Sequence, residues 1–296
     1  RRGGMADLYL ARREGAAGFE RLVPIKVVHP TLAESEEAVA MFVREALTTS
    51  LVDHPNVVQV EDLGRVGHSY FLVMEYVHGA SLAQILSELS RRKRRVAPSV
   101  AVALAARVAE GLHAAHEAQD RDGAPLGLVH RDVSPQNVLL SHRGHVKLID
   151  FGVAKATGAQ GAAATEVLRG KVRYMAPEHA SLGLIDRRAD VYSLGVVLWE
   201  MLTMRRLHAG QSLAEVVQQA REPDISPPAR FCPDIPPALD AAVMHALAPD
   251  PDDRPDDARE LRRELVRAYP RAATIDSFEL AQLLVDDLRD ELGSVR

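Results

Sequence analysis

The feature that most constrains this sequence is a polar segment, HRDVSPQN at residues 130–137, placed within a largely apolar stretch. An Asp and an Asn five residues apart in a tight loop can place a carboxylate beside a hydroxyl group and an amide on a metal ion. Two further motifs follow in order, Asp150-Phe151-Gly152 and Ala176-Pro177-Glu178. Each motif alone recurs by chance, but their order and spacing together restrict the chain to very few folds.

Charge and residue content narrow the classes of protein to which this 296-residue chain can belong. Its 36 basic and 41 acidic residues give a net charge of -5, which weighs against a protein built around nucleic-acid phosphates. The single cysteine, Cys232, excludes an internal disulfide framework and a cysteine-based zinc cluster. The longest strongly apolar stretch, 191–202, is too short to span a bilayer and contains Glu200. With no signal peptide at the start, we expect a cytoplasmic protein with no membrane segment and no nucleic-acid partner.

Apolar periodicity divides the chain into a strand-rich beginning and a helical remainder. Up to about residue 77 the pattern predicts a small sheet and one helix, with strands at 7–11, 22–28, 57–62 and 70–76 and the helix at 34–50. Helices are then predicted at 81–89, 98–115, 188–203, 212–220, 237–246, 256–267 and 277–292, and short strands near 129, 138–140 and 146–149. Residues 156–171, rich in Gly, Ala and Thr, are predicted to form a mobile loop.

Three stretches of the sequence carry a resemblance to a known family: HRDVSPQN at 130–137, GKVRYMAPE at 170–178 and RRADVYSLGVVLWEML at 187–202. The chain resembles the eukaryotic-type (Hanks-type) protein kinases over nearly its whole length, and its wording is similar to bacterial serine/threonine kinases of myxobacteria. The resemblance implies an α+β, two-lobed protein-kinase fold.

The same resemblance implies how the chain is divided. We expect an N-lobe with a small antiparallel sheet at 1–77, a helical C-lobe at 78–268 and a C-terminal helix at 269–296. The first strand of the N-lobe is expected to be truncated. Because the chain starts at Arg1 without that strand, we expect it to be a piece of a longer protein.

The resemblance also implies a role for each polar residue of the motifs. Asp132 would orient a substrate hydroxyl or accept its proton, and Asn137 and Asp150 would hold Mg²⁺, with Mn²⁺ as an alternative. Lys26 would reach the α- and β-phosphates of ATP, and Glu45 on the first helix would hold Lys26 extended. These five residues form the expected site of phosphoryl transfer.

A nucleotide pocket is implied where the strands meet the helical part. Its expected lining consists of Met74 at the gatekeeper position, the backbone groups of Glu75 and Val77, and the side chains of Leu8, Pro24 and Leu139 around the adenine ring. The glycine-rich loop is the poorest match to the family pattern, because residues 1–8 read RRGGMADL. Only Gly3, with the additional Gly4, would let the backbone approach the phosphates closely.

Other residues of the resemblance have scaffold or regulatory roles. Asp190 would cap the catalytic loop from a long buried helix, and Glu178 would form a buried ion pair with Arg254. Arg131 is typical of kinases switched by phosphorylation of the activation loop, because a phosphate can pair with the arginine and order the loop. The candidate acceptors are Thr157 and Thr165.

Two positions depart from the serine/threonine kinase pattern. The lysine usual two residues after the catalytic Asp132 is replaced by Ser134, and the threonine usual after Gly170 is replaced by Lys171. We hypothesise that Lys171 supplies the lost charge and Ser134 part of the lost hydroxyl function; the alternative is that Lys171 points to solvent. Lysine is rare in this chain, with only Lys26, Lys93, Lys147, Lys155 and Lys171.

Several functions remain open at this point. The leading interpretation is an active ATP-dependent serine/threonine protein kinase, which acts on a protein substrate and forms a transient dimer for autophosphorylation in trans. A pseudokinase that serves as a scaffold is the second, and a small-molecule kinase of related fold is the third. Tyrosine specificity stays open as well, since tyrosine kinases also lack the lysine at the position of Ser134.

Overall fold

The computed structural model of the protein describes residues 6–30, 32–151 and 168–284. The strands are β1 (Ala6–Glu14), β2 (Glu20–Val28), β3 (Val60–Val66), β4 (Ser69–Met74), β5 (Gly79–Ser81), β6 (Val138–Ser141) and β7 (Val146–Leu148). The helices are α1 (Glu36–Ser50), α2 (Leu82–Arg91), α3 (Pro98–His116), α4 (Pro177–Ala180), α5 (Arg188–Thr203), α6 (Leu213–Arg221), α7 (Pro237–Ala246), α8 (Ala258–Ala268), α9 (Arg271–Thr274) and α10 (Ser277–Leu284). Residues 168–172 are also helical.

The first four strands form an antiparallel sheet in the order β1-β2-β4-β3, and α1 packs against β3 and β4. The helix α1 starts where the side chain of Ser35 accepts a hydrogen bond from the backbone N–H of Ala38, which satisfies one of the free donors of the first turn. The face of α1 toward the sheet is apolar, and the small core between them consists of Ala6, Val28, Phe42, Ala46 and Leu72.

Two long helices, α3 and α5, form the centre of the helical part. The helix α3 has Pro98 in its first turn, where a missing backbone N–H costs nothing. Every residue of α5 from Ala189 to Thr203 is buried, so this helix is surrounded by protein on all sides and has no solvent face. The helices α3, α7 and α8 pack around α5 and enclose one large core.

A second sheet, β5-β6-β7, connects the two parts of the molecule. Its strand β7 bonds to the segment before β3: the N–H of Val58 donates to the carbonyl of Leu148 (2.9 Å), and the N–H of Leu148 donates to the carbonyl of Asn56 (2.8 Å). The side chain of Asn56 donates to the carbonyl of Val146 (2.9 Å). These bonds fix the first sheet relative to the loops at the ends of β6 and β7.

The segment 271–284 packs back onto the helical part. Leu280 is fully buried, and the guanidinium of Arg107 on α3 donates to the carbonyl of Ile275. Gly144, in the turn between β6 and β7, lies directly against the backbone of Ser277 and has a positive φ of +75°. A side chain at this position would collide with Ser277, so glycine is required for the turn and α10 to meet.

Most predicted elements are present, and the exceptions have physical reasons. The strand predicted at 57–62 is displaced, because Val57 forms an isolated bridge with Leu148 and β3 starts only at Val60. Residue 129 lies outside any strand, and residues 168–171 are helical where a loop was predicted. The rest of that loop, 156–167, and the end of the last predicted helix, 285–292, lie outside the described residues. None of the helices in the described ranges is long and apolar enough to cross a membrane.

Candidate active site

Lys26 lies at the centre of the cleft between the first sheet and the helical part. From β2, its Nζ lies 2.8 Å from Oε1 of Glu45 on α1 and 2.9 Å from Oδ1 of Asp150, which follows β7. Burial alone would lower the pKa of Lys26, but the charges of Asp150 and Glu45 outweigh it and hold this pKa above its ordinary value. The lysine therefore stays charged and joins three separate parts of the chain.

The loop 130–137 is held in place from below by Asp190 of α5. The carboxylate of Asp190 accepts hydrogen bonds from the backbone N–H groups of His130 (2.7 Å) and Arg131 (2.8 Å), as the sequence predicted for its capping role. It also lies 2.8 Å from Nε2 of His116. Burial alone would raise the pKa of Asp190, but these hydrogen bonds outweigh it and hold the pKa below its ordinary range. They also hold Arg131 at a φ of +63°, which costs energy in a residue with a Cβ.

Asp132 and Asn137 are fixed to one another within this loop. The side-chain amide of Asn137 donates to the backbone carbonyl of Asp132 (2.7 Å), and the N–H of Asp132 bonds to Nδ1 of His130 (3.2 Å). The carboxylate of Asp132 lies at the cleft, with 9% of the side chain exposed. Nζ of Lys171 lies 3.8 Å from its Oδ2.

Asp150 is brought next to Asn137 by the backbone. The N–H of Ile149 donates to the carbonyl of Asn137 (2.9 Å), and Asp150 follows with a φ of +59°. The next residue, Phe151, is fully buried, and its ring centroid lies 4.7 Å from that of His130. The polar residues predicted for phosphoryl transfer are thus brought to one cleft.

The donor atoms in the cleft suit a hard divalent cation. Asp150 offers a carboxylate and Asn137 an amide oxygen, which are the ligand types that Mg²⁺ takes in proteins. Within the described ranges, no cluster of three or more His, Cys, Asp or Glu side chains could hold a metal ion. A site with so few protein ligands fits an ion that takes its other ligands from water and substrate phosphates.

The predicted nucleotide pocket lies beside these groups. Leu8 on β1 pairs directly with Lys26, and Pro24 stands two residues before that lysine, so all three share one face of the sheet. Pro24 is tolerated because β4 pairs with β2 only from Ile25 onward, and the proline needs no donor on that side. The remaining predicted residues, Met74, Glu75, Val77 and Leu139, are all half-buried. Gly3 and Gly4 lie outside the described residues.

The residues after β4 are held by an ion pair that the sequence analysis did not anticipate. Nζ of Lys147 on β7 lies 2.8 Å from Oε2 of Glu75. The same carboxylate accepts a bond from the N–H of Gln59 (3.3 Å), and the N–H of Glu75 donates to the Gln59 carbonyl (2.9 Å). The rarity of lysine in this chain was the only signal that could have drawn attention to Lys147.

The predicted buried ion pair of the scaffold is present. Arg254 donates to both carboxylate oxygens of Glu178 at 2.8 Å, and its side chain is fully buried. Further bonds run from Arg254 to the backbone carbonyls of Ala248 and Pro249. Because all of its donor groups are satisfied, the guanidinium can remain in the interior without water.

A second buried carboxylate, Glu200 of α5, was missed. The hydroxyl of Tyr174 donates to Glu200 (2.9 Å), and Arg206 lies 2.9 Å from the same oxygen. Burial raises the pKa of Glu200, and it raises the pKa of Tyr174 as well. Ser193 also donates to the carbonyl of Tyr174 (2.7 Å). A single acid inside the apolar stretch 191–202 was the available signal, and its role is to hold the segment before α4 onto α5.

Comparison with known proteins assigns the family. A model described as "Protein kinase domain" matches residues 2–265. Since this match covers most of the chain, the chain belongs to the protein kinase family, and the predicted two-lobed fold is confirmed. Members of this family use ATP with a divalent metal ion and act on proteins.

The individual similarities are to bacterial kinases, as the sequence predicted. The chain is 40% identical over 252 residues to the tyrosine-protein kinase MasK of Myxococcus xanthus, covering 85% of this chain and 39% of MasK. It is 32% identical over 267 residues to the serine/threonine-protein kinase PrkC of Bacillus subtilis, covering 90% of this chain and 39% of PrkC. The kinase domain of PknI from Mycobacterium tuberculosis superposes with a TM-score of 0.66 at 26% identity, over 90% of this chain and 92% of that domain. The chain thus spans about two fifths of the length of the curated relatives.

Proposed function

We propose that this chain is the catalytic domain of an ATP-dependent serine/threonine protein kinase. The observation that carries the proposal is the position of Lys26, whose Nζ contacts both Glu45 and Asp150. A scaffold that does not transfer phosphate has no need to bring a lysine, two acids and a fixed catalytic loop together in one cleft. Electrostatic positioning of this kind supplies most of the catalysis of phosphoryl transfer.

Each residue has a defined task in this proposal. Lys26 offers the α- and β-phosphates a charge that Glu45 keeps in place. Asp132 orients the substrate hydroxyl and accepts its proton. The backbone of Glu75 and Val77 and the side chains of Met74, Leu8, Pro24 and Leu139 bind the adenine, while Gly3 and Gly4 let the backbone approach the phosphates.

We assign the metal to Mg²⁺, held by Asn137 and Asp150, with Mn²⁺ as the alternative. The bound ion would neutralise phosphate charge. The contribution of the chain is to hold the two oxygen ligands next to Asp132, through the Ile149–Asn137 backbone bond.

Serine/threonine specificity and regulation belong to the same proposal. PrkC carries a serine/threonine name and MasK a tyrosine name, and the chain is similar to both. We assign Ser/Thr, with phosphorylation in trans at Thr157 or Thr165 through a transient dimer. Arg131 would pair with the added phosphate, since phosphorylation adds about −1.5 to −2 charge.

The test is autophosphorylation with radiolabelled ATP, in separate Mg²⁺ and Mn²⁺ reactions, followed by phosphosite mapping. The wild-type protein should incorporate phosphate on Ser or Thr, including Thr157 or Thr165. The variant Asp132→Asn should incorporate none while it retains the melting temperature of the wild type. Label on tyrosine alone would contradict the assigned specificity. A wild-type protein that binds ATP but labels neither itself nor a general protein substrate would identify a pseudokinase.

A further inference from the structure

Lys171 is a positively charged residue beside the catalytic carboxylate that the family pattern does not place there. Its Nζ lies 3.8 Å from Oδ2 of Asp132, and the two side chains are 30% and 9% exposed. A lysine that merely faced solvent would extend away from the cleft. This one instead places its charge at the position where the substrate hydroxyl and the leaving phosphate must meet.

The segment that carries Lys171 is anchored on both sides of the lysine. The N–H of Tyr174 donates to the carbonyl of Lys171 (3.0 Å), and Tyr174 is held by Glu200 and Ser193 of α5. The neighbouring Val172 is buried. The backbone of Lys171 is therefore fixed relative to α5, the helix that also holds the catalytic loop through Asp190.

Ser134 occupies the complementary position. It is buried, with 3% exposed, and its carbonyl accepts a hydrogen bond from the N–H of Asn137 (3.0 Å) within the catalytic loop. A serine here cannot bring a positive charge to Asp132, but it can bring a hydroxyl. Lys171 can bring the charge, from a different segment of the chain.

The use of lysine in this chain supports a specific role. Among its 36 basic residues only five are lysine. Three lysines in the described ranges contact carboxylates at the cleft: Lys26 with Glu45 and Asp150, Lys147 with Glu75, and Lys171 with Asp132. Lysine concentrates its charge on one compact ammonium group, whereas the planar fork of arginine needs more space.

We propose that Lys171 is a catalytic residue of this kinase and that Ser134 supports it with its hydroxyl. The proposal rests on the proposed function. In the transfer step, Asp132 accepts the proton of the substrate hydroxyl, and the oxygen of that hydroxyl forms a bond to the γ-phosphorus. The bond from that phosphorus to its bridging oxygen breaks, and the electron pair leaves on ADP. Lys171 stabilises the negative charge on the transferring group and holds Asp132 in position.

The test is steady-state kinetics of Lys171→Ala with saturating ATP and protein substrate. Removal of a charge that acts mainly in the transition state should lower kcat about 10- to 100-fold and change the KM for ATP little. The matched control is Lys93→Ala, which removes a lysine from the turn after α2 and should leave kcat unchanged. Melting temperatures of all variants, with and without ATP and Mg²⁺, separate a loss of chemistry from a loss of folding or of nucleotide binding.

An exchange variant makes the test specific. Ser134→Lys combined with Lys171→Thr should recover most of the kcat that Lys171→Ala loses, because the charge and the hydroxyl then stand in exchanged positions. Wild-type kcat in Lys171→Ala would overturn the inference and leave the proposed function intact. The inference would also be overturned if a folded, ATP-binding exchange variant were as slow as Lys171→Ala. Absence of transfer by the wild-type protein would overturn both.

Discussion

At the scale of single residues, the active site depends on charges that are neutralised before any substrate arrives. Lys26 contacts two carboxylates, of which Glu45 has only 7% of its side chain exposed. Removal of one partner from such a buried group leaves an unpaired charge, which costs more than the pair contributed. A substitution at Lys26 therefore acts on folding as well as on catalysis.

A double-variant experiment separates these two effects. Lys26→Met should abolish phosphoryl transfer and lower the free energy of unfolding by on the order of 3 kcal/mol, because Glu45 loses its partner. Lys26→Met combined with Glu45→Gln should recover much of that stability and none of the transfer. Urea unfolding and radiolabel incorporation measure the two quantities. Near wild-type turnover in Lys26→Met would show that the lysine has no role in binding phosphate.

Residue contacts could be predicted from the sequence where a motif specifies both partners. The pairs Lys26–Glu45 and Glu178–Arg254 were predicted in this way, and both are present. The pair Lys147–Glu75 was not, because its members stand 72 positions apart and neither belongs to a motif. Contacts of that kind depend on how β7 meets the end of β4, which no local pattern encodes.

At the scale of elements, the contact between the β6–β7 turn and α10 depends on one glycine. Gly144 has a φ of +75°, and a Cβ on it would lie 1.7 Å from the carbonyl oxygen of Ser277. Neither atom can move far, because both belong to backbone. A side chain at this position must therefore displace α10 or deform the turn.

Gly144→Ala tests this contact, with Gly123→Ala as its control. Gly123 also has a positive φ, +82°, but nothing lies within 4 Å of its Cβ position. Both variants should lose about 1 kcal/mol from the left-handed conformation, and Gly144→Ala should lose more. Hydrogen exchange of residues 271–284 should increase in Gly144→Ala only. Equal stability and equal exchange in the two variants would show that α10 does not depend on this turn.

Element bounds were best predicted where the sequence itself marks both ends. The helices α5 and α7 match their predictions residue for residue, since a continuous apolar run defines α5 and Pro237 starts α7. The strand predicted at 57–62 was wrong in its first residues, because Val57 pairs with Leu148 instead of continuing into β3. That pairing joins residues far apart in the chain, so local propensity could not indicate it.

At the scale of the whole molecule, arginine side chains tie the substrate-side segment to the loop after α5. Arg173 donates to the carbonyls of His208 and Gly210, and Arg206 pairs with Glu200. His208 itself is 3% exposed, and its Nε2 has no hydrogen-bond partner in the described structure. Burial, and secondly the charge of Arg173, lower the pKa of His208 from 6.5 to about 4.

This buried histidine gives the fold a defined pH dependence. Between pH 6.5 and about 4 the unfolded chain binds a proton at His208 that the folded chain does not, so stability falls as the pH is lowered. The full effect approaches about 3 kcal/mol, and it is absent above that window. Urea unfolding of His208→Gln should show a shallower loss of stability over this range than the wild type. The exposed His68→Gln should behave as the wild type does, and an unchanged slope in His208→Gln would contradict the prediction.

The ion pairs of Lys26 also determine which covalent inhibitors can act at this cleft. An amine attacks an electrophile only in its uncharged form, and the carboxylates of Glu45 and Asp150 keep this one as an ammonium group. The single thiol, Cys232, lies in the connection before α7 and not in the cleft. While those carboxylates hold the lysine, a covalent warhead directed at Lys26 meets a group without a free electron pair. Inhibitors of this kinase must then gain their selectivity from reversible contacts, such as those with Glu75 and Pro24.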